Sequence, residues 1–230
     1  MNPPRVIWLR QSGLWAKVEH RIVDFMRKDV RSTLLRLVSC VLMILAVLAP
    51  TRRSGAAQTP PAMASDITSR DIDGHRVDLF GQGIRAAVLF FVTNDCPITN
   101  SYIPEMNRIV AEYGPRKAAF YAVYTDPTVS VREIRSHARE FDLHIPLIPD
   151  TAHLLVHRVG ATVTPEVAVL EPGGKLAYLG PIDDLYVDFG KRRATPTQRY
   201  LRQALDAVLS GKPVAVPNAN PIGCFISAEP

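Results

Sequence analysis

The chain is poor in cysteine, and the spacing of the few it has excludes one familiar chemistry. Among 230 residues there are three, Cys40, Cys96 and Cys224, and no two stand at Cys-x-x-Cys spacing. Cys96 lies in the stretch FFVTNDCPITNSYIP, with Thr99 where the second cysteine of a helical redox pair would fall. A basic body is also missing. Residues 1–57 hold ten Lys/Arg against three Asp/Glu, while the remainder holds 17 against 19, so the net charge of +5 belongs to the N-terminal segment. No phosphate-binding groove is implied, and nucleic acid is not an expected partner. Long apolar runs are scarce too: LVSCVLMILAVLA falls short of the roughly 20 residues that comfortably span a bilayer. No internal repeat is evident. A hydrophobic content of 47% with mixed charge excludes a wholly disordered protein, and the length suits one domain with extra segments.

The N-terminal segment reads as an export signal. From Met26, MRKDVRSTLLR is a positive region, followed by an apolar stretch of about a dozen residues and then Pro50 and small residues up to Ala57, a site for cleavage. Left uncleaved, residues 33–49 would act as an anchor, the one membrane attachment expected. Residues 1–25 lengthen the positive region awkwardly, which makes Met26 a candidate start. Cys40 precedes most of the apolar run instead of following it, unlike a lipidation site. The expected organisation is 1–57 as signal or anchor, 58–65 (QTPPAMAS) as linker, 66–211 as the domain and 212–230 as a tail carrying Cys224. The protein is expected to be exported, periplasmic or extracellular, where Cys96 and Cys224 allow one intramolecular disulfide.

Within the domain, DITSRDIDGHRVDLF suggests a hairpin about Asp73-Gly74. AAVLFFVT (86–93) has the continuous apolar character of a buried parallel strand. Pro97 to Tyr113 reads as a helix with an inward stripe of Ile103, Met106, Ile109 and Val110. AAFYAVYT (118–125) is a second strand, and Val131, Ile134, Ala138 and Phe141 recur at helical spacing. A short extended piece (IPLIPD) and a short helix ending at Gly160 follow. EVAVLEPGGKLAYLGPID forms a hairpin, and TPTQRYLRQALDAVLSG a helix with Tyr200, Leu201, Ala204, Leu205 and Val208 on one face. The order implies an α/β protein, a mixed sheet between helices.

This order resembles the thioredoxin fold, and three local motifs carry the likeness. One is the strand–Cys96–helix junction with Pro104 eight residues on. Another is ATVTPEVAVL, similar to a cis-proline loop with Pro165 as the cis residue and Thr164 facing the cysteine. The last is GKLAYLGPIDDLY followed by a helix, GKPV and a terminal IGCFI. Together they resemble the peroxiredoxin-like redoxins of the alkyl hydroperoxide reductase C/thiol-specific antioxidant group, over roughly residues 66–226. The likeness implies a three-layer sandwich with an extended C-terminal tail, an antioxidant or thiol–disulfide oxidoreductase, and no cofactor. Its partners would be protein thiols or disulfides, or small peroxides, with a thiol reductant. The group often has Arg before IDD, where this chain has Pro181.

A cysteine at a helix start meets unpaired N–H groups and the positive end of the helix dipole, which favour the attacking thiolate. Asp95 opposes that. Cys96 is therefore the candidate nucleophile, with Thr93, Pro97, Thr99, Thr164 and Pro165 shaping its site. Thr99 cannot resolve a mixed disulfide; Cys224 can if the tail folds back. Twelve steps from Lys212 span up to about 40 Å at roughly 3.3 Å each, enough to reach. A non-catalytic binding domain with a static Cys96–Cys224 staple, and a pairing between chains, remain open. For a peroxidase, Thr93 stands three residues before Cys96 as in peroxiredoxins, but Leu89 occupies the proline position. His153 and His157, four apart, are expected to be packing or surface residues, with no metal. Asn100 replaces the second cysteine of a Cys-x-x-x-Cys copper site. Asp183 and Asp184 are assigned to a loop or cap, and GKRR (190–193) to a solvated loop.

Overall fold

A computed structural model describes residues 69–227. The expected export signal, Cys40, Met26 and the expected linker at 58–65 lie outside the described residues. The first element is a hairpin of β1 (Ser69–Arg70) and β2 (Arg76–Val77), antiparallel about a turn in which Gly74 takes φ +82°. The expected hairpin at Asp73-Gly74 is thus present.

The central strand is β3 (Ala86–Val92), every residue of which is buried. It owes this to its uninterrupted apolar sequence, which offers a side chain to each face in turn. Ala86, Val88, Phe90 and Val92 enter one core, while Ala87, Leu89 and Phe91 enter another. Parallel to it runs β4 (Ala118–Tyr124), and beyond that β5 (Leu147–Pro149). On its other side, β7 (Glu166–Glu171) is antiparallel and pairs with β8 (Lys175–Gly180). The order β5-β4-β3-β7-β8 is the expected mixed sheet, here of five strands.

The first core is closed by α1 (Pro97–Tyr113), α2 (Val131–Glu140) and α4 (Tyr200–Leu209), and the second by α3 (Leu154–Val159), giving three layers. Helix α1 begins at Pro97, which needs no donor in the first turn, and contains Pro104, which leaves the Asn100 carbonyl without its helical N–H. Its inward stripe is as expected. Arg202 of α4 ties α1 down through ion pairs with Glu105 and, at 3.0 Å, with Glu112. Helix α2 is set by a Ser130–Glu133 capping box. Its buried face is Ile134, His137 and Ala138; Val131, expected inward, is 40% exposed because the first turn overhangs the core edge. Helix α4 starts at Tyr200, later than the amphipathic pattern suggested, because Asp184 holds the N–H groups of Thr197 and Gln198 in a loop.

The fold is the thioredoxin-like α/β sandwich that the sequence implied. Two short pairings finish it. One joins β9 (Tyr186–Asp188) to β10 (Lys191–Arg192), so the exposed basic stretch ends in a small hairpin. The other joins β6 (Val163–Thr164) to β11 (Cys224–Phe225), sixty residues further along the chain.

Phe90 is fully buried and stacks on Phe120 with ring centroids 6.1 Å apart. Phe90→Ala is expected to destabilise the protein by about 3–5 kcal/mol, measured by urea unfolding against wild type.

Candidate active site

Cys96 follows β3 and is the N-cap of α1, with φ −80° and ψ 112°. The extended strand delivers the sulfur to the helix's unpaired N–H end, and packing from the first core leaves it 1% exposed. Its thiol donates to the Thr164 carbonyl oxygen at 3.1 Å. The Thr164–Pro165 peptide bond is cis, as the resemblance implied. The Thr164 hydroxyl lies 3.2 Å from that of Thr93, tying the cis-proline loop to the end of β3. Pro97 occupies the first turn of the helix. Pro165 borders a cleft of about 80 Å3 with Tyr102, Asp183 and Ile222.

The tail does come back. In β11, Cys224 pairs with Thr164 and Phe225 with Val163, and the Ile226 N–H donates to the Thr162 carbonyl at 3.0 Å. Cys224 is half-buried, and its pairing with Thr164 brings it near enough to Cys96 for each thiol to shift the titration of the other. Thr164 thus stands between the two cysteines, accepting from one and paired with the other. The structure holds both as free thiols.

Residues 60–179, more than half of the chain, match the AhpC/TSA family. The chain belongs to the AhpC/TSA family. The matched span includes Cys96 and Pro165 and ends before Cys224. Among solved structures, a hypothetical protein from Sinorhizobium meliloti 1021 is 25% identical with a TM-score of 0.62, covering 72% of this chain and 93% of its own. An uncharacterized conserved protein from Geobacillus kaustophilus is 26% identical with a TM-score of 0.60, covering 71% and 88%. No curated protein matches.

The two sulfurs of this AhpC/TSA chain are electrostatically unequal. Burial works to raise the Cys96 pKa, but the Cys224 thiol, the Thr99 N–H and hydroxyl and the Cys224 N–H outweigh it and hold the value below that of an ordinary thiol. The Thr99 hydroxyl is fully buried and makes no hydrogen bond, which leaves it free to favour an anion on the neighbouring sulfur. Cys224 moves the opposite way. Burial, the hydrogen bond to Cys96 and the charges of Cys96 and Asp95 push it up to about 12. Asp95, expected to oppose the Cys96 thiolate, is felt at Cys224.

Several functional side chains escaped the sequence reading. The Tyr124 hydroxyl donates to His137 Nδ1 at 2.8 Å, His137 Nε2–H donates to Asn100 Oδ1 at 2.8 Å, and Asn100 Nδ2 donates to the Asn94 carbonyl at 3.2 Å. Because Asn100 Oδ1 accepts, the His137 proton sits on Nε2. Burial lowers the His137 pKa and keeps the ring neutral. This chain of bonds fixes the loop that presents Cys96. The one available signal was the position of His137 between Ile134 and Ala138 on an inward face. Glu166, almost fully buried, accepts from the Thr162 N–H at 2.7 Å and the Val163 N–H at 3.4 Å, holding β6 in place. Gly223 of the IGCFI stretch is a further such residue: a β-carbon there would lie 2.8 Å from the Thr164 carbonyl carbon.

The remaining candidates divide as expected. His153 is buried and donates from Nε2 to the Thr125 carbonyl at 2.6 Å, a packing role, while His157 is exposed. Asp183 accepts from the Tyr102 hydroxyl at 2.6 Å and the Leu185 N–H; its neighbour Asp184 serves the 197–198 loop. Among the described residues, the one cluster with three possible metal ligands is Asp71, Asp73 and His75, where Asp71 already closes the exposed hairpin turn.

Alkylation of Cys96 is expected to inflect with pH below the ordinary cysteine range. Thr99→Val and Cys224→Ser should each move the inflection upward; profiles unchanged in both would remove this account of the thiolate. Burial also holds the Glu166 carboxyl above the usual range, its donors notwithstanding. The folded chain therefore binds that proton more tightly than the unfolded chain, and stability falls as pH rises between the two values. Glu166→Gln, which keeps an acceptor, should match or exceed wild-type stability at neutral pH. Glu166→Ala should lose roughly 1–3 kcal/mol for the stranded N–H groups, read from chemical denaturation.

Proposed function

We propose that this chain is an exported thiol–disulfide oxidoreductase with Cys96 as nucleophile and Cys224 as resolving cysteine. The observation that carries this is that both cysteines meet at Thr164, whose carbonyl accepts the Cys96 thiol and whose strand pairs with Cys224. Membership of the AhpC/TSA family supports redox chemistry in general. Export rests on the sequence of residues 26–57 alone.

In the reducing direction, the Cys96 thiolate attacks one sulfur of a substrate disulfide and expels the other as thiolate. A mixed disulfide on Cys96 results. Cys96 then no longer carries charge, so the anion that raised the Cys224 pKa is gone and Cys224 deprotonates more readily. Its thiolate attacks the Cys96 sulfur, releases the second substrate thiolate and leaves a Cys96–Cys224 disulfide. Two electrons have passed to the substrate, and an external thiol reductant restores the pair.

The near-complete burial of Cys96 favours one second reading, a small oxidant. The thiolate would attack a peroxide oxygen to give sulfenic acid and one water, and Cys224 would condense with it to give the disulfide and a second water. Here Thr93 and Thr164 would line the approach.

Peptide mapping in graded thiol redox buffers, with alkylation at mildly acidic pH, tests both. After full reduction of the native protein Cys96 should alkylate, and on oxidation the two cysteines should pair within the monomer. A Cys96 that stays unreactive ends the nucleophile assignment. A pair that resists mild reductant identifies a structural staple. Cys224→Ser should accumulate a mixed disulfide on Cys96 when given a small disulfide. Accumulation only of sulfenic acid, under dilute hydrogen peroxide, would select the second reading.

A further inference from the structure

Asp183 is a buried acid that the thiol chemistry does not use. It is 5% exposed, and its hydrogen bonds, from the Tyr102 hydroxyl at 2.6 Å and the Leu185 N–H at 2.9 Å, both fall on Oδ1. Among the described residues nothing donates to Oδ2 and no cation pairs with the carboxylate. Its acidic neighbours are already matched, Asp184 by Arg193 at 3.3 Å and Glu105 by Arg108 at 2.6 Å and by Arg202. Burial, with the charges of Glu105 and Asp184, holds the Asp183 carboxyl above the usual carboxylate range. What the residue lacks is a positive charge.

Asp183 lines the cleft of about 80 Å3 beside Pro165, and Tyr102, Tyr186, Tyr200 and Ile222 supply other walls. The rings of Tyr102 and Tyr186 stand with centroids 5.7 Å apart, tilted by 48°. A tyrosine ring has a negative face, which attracts an ammonium group within about 6 Å of its centre. The cleft takes about two or three groups of water size, at roughly 30 Å3 each, enough for an ammonium and a methylene or two. Two of its walls are neighbours of the redox pair: Pro165 follows Thr164, and Ile222 lies two residues before Cys224.

We propose that this cleft is a subsite for an alkylammonium group carried by the substrate disulfide, with Asp183 as its counter-ion and the tyrosine rings as its walls. The ammonium supplies the missing charge, and its N–H groups donate to the carboxylate oxygen left unbonded. A disulfide bearing carboxylates meets the same buried acid as repulsion, so the cleft also selects against it. With a diamino disulfide such as cystamine, the Cys96 thiolate attacks one sulfur and one aminothiolate leaves. Cys224 then releases the second as its own bond to Cys96 forms. This substrate preference rests on Cys96 being the working thiol, as proposed above; ammonium binding does not. A small aminothiol disulfide and a lysine beside a cysteine in a polypeptide carry the same group.

Binding is read first without thiol chemistry, from the tyrosine ring signals in NMR titrations of the reduced full-length protein at constant ionic strength. Hexane-1,6-diamine, the all-carbon counterpart of cystamine, should shift the signals of Tyr102 and Tyr186, and hexane-1,6-diol should not. Asp183→Asn, which keeps an acceptor for Tyr102 and Leu185, should weaken diamine binding at least tenfold. Rates of mixed-disulfide formation on Cys96 are then compared, within each variant, for cystamine and the neutral bis(2-hydroxyethyl) disulfide. Asp183→Asn should lower the ratio of the two at least tenfold. Tyr186→Leu should lower it about threefold and Tyr186→Phe should restore it, which decides the matter if Asp183→Asn does not fold. A lysine–cysteine peptide disulfide, set against its norleucine counterpart, separates the sources. An Asp183-dependent preference there too extends the substrate to polypeptides; one for cystamine alone confines it to small amines. A diamine that binds no better than the diol overturns the subsite, as does a cystamine ratio that the folded variants leave unchanged. Bound diamine beside an inert Cys96 removes the redox function and keeps the ammonium site; a reactive Cys96 without the preference does the reverse.

Discussion

Thr164 holds the site together through its backbone. Its carbonyl accepts the Cys96 thiol while the residue pairs with Cys224, so a single peptide unit fixes both sulfurs relative to each other. Everything around it serves to keep that unit still. Glu166 gathers the N–H groups just before it, the Thr93 hydroxyl holds its side chain, and Gly223 permits the tail to approach it without a β-carbon in the way. Remove the pairing and the two cysteines are merely residues at distant points of one chain.

The meeting of the two cysteines at Thr164 also explains how one site can hold two thiols of unequal acidity. Each cysteine affects the titration of the other: their proximity favours the Cys96 anion and keeps the proton on Cys224. The helix start contributes Thr99 from the position where a second cysteine would otherwise stand. The partner sulfur has moved from that helix to a strand, and Asn100, with His137 and Tyr124 behind it, anchors the presenting loop instead.

The parts of this arrangement that were legible in the sequence are those with local causes. The apolar run of 86–92 could only be a strand buried on both faces, and Pro97 with its following stripe fixed the limits of α1. The Thr-Pro loop was visible through its motif. What was not legible depends on groups remote in sequence. Two paired residues, Cys224 and Phe225, are too few to show alternation, so the tail's length allowed the contact without specifying it. His137 looked like part of a charged helix because its partners come from β4 and α1. Val131 fitted the helical period, yet the helix overhangs the core there, and periodicity cannot tell where a core ends.

One consequence follows from the unequal seating of the two cysteines. Cys96 lies just beyond a strand buried on both faces, at the start of a buried helix; Cys224 sits on a two-residue ladder with an exposed neighbour. Amide hydrogens on the two sides of Thr164 therefore belong to opposite extremes of local stability. The amides of β3 should exchange with solvent only at the rate of global opening, while that of Ile226 exchanges by fraying. The site is a junction between a firmly packed part of the molecule and a lightly held one.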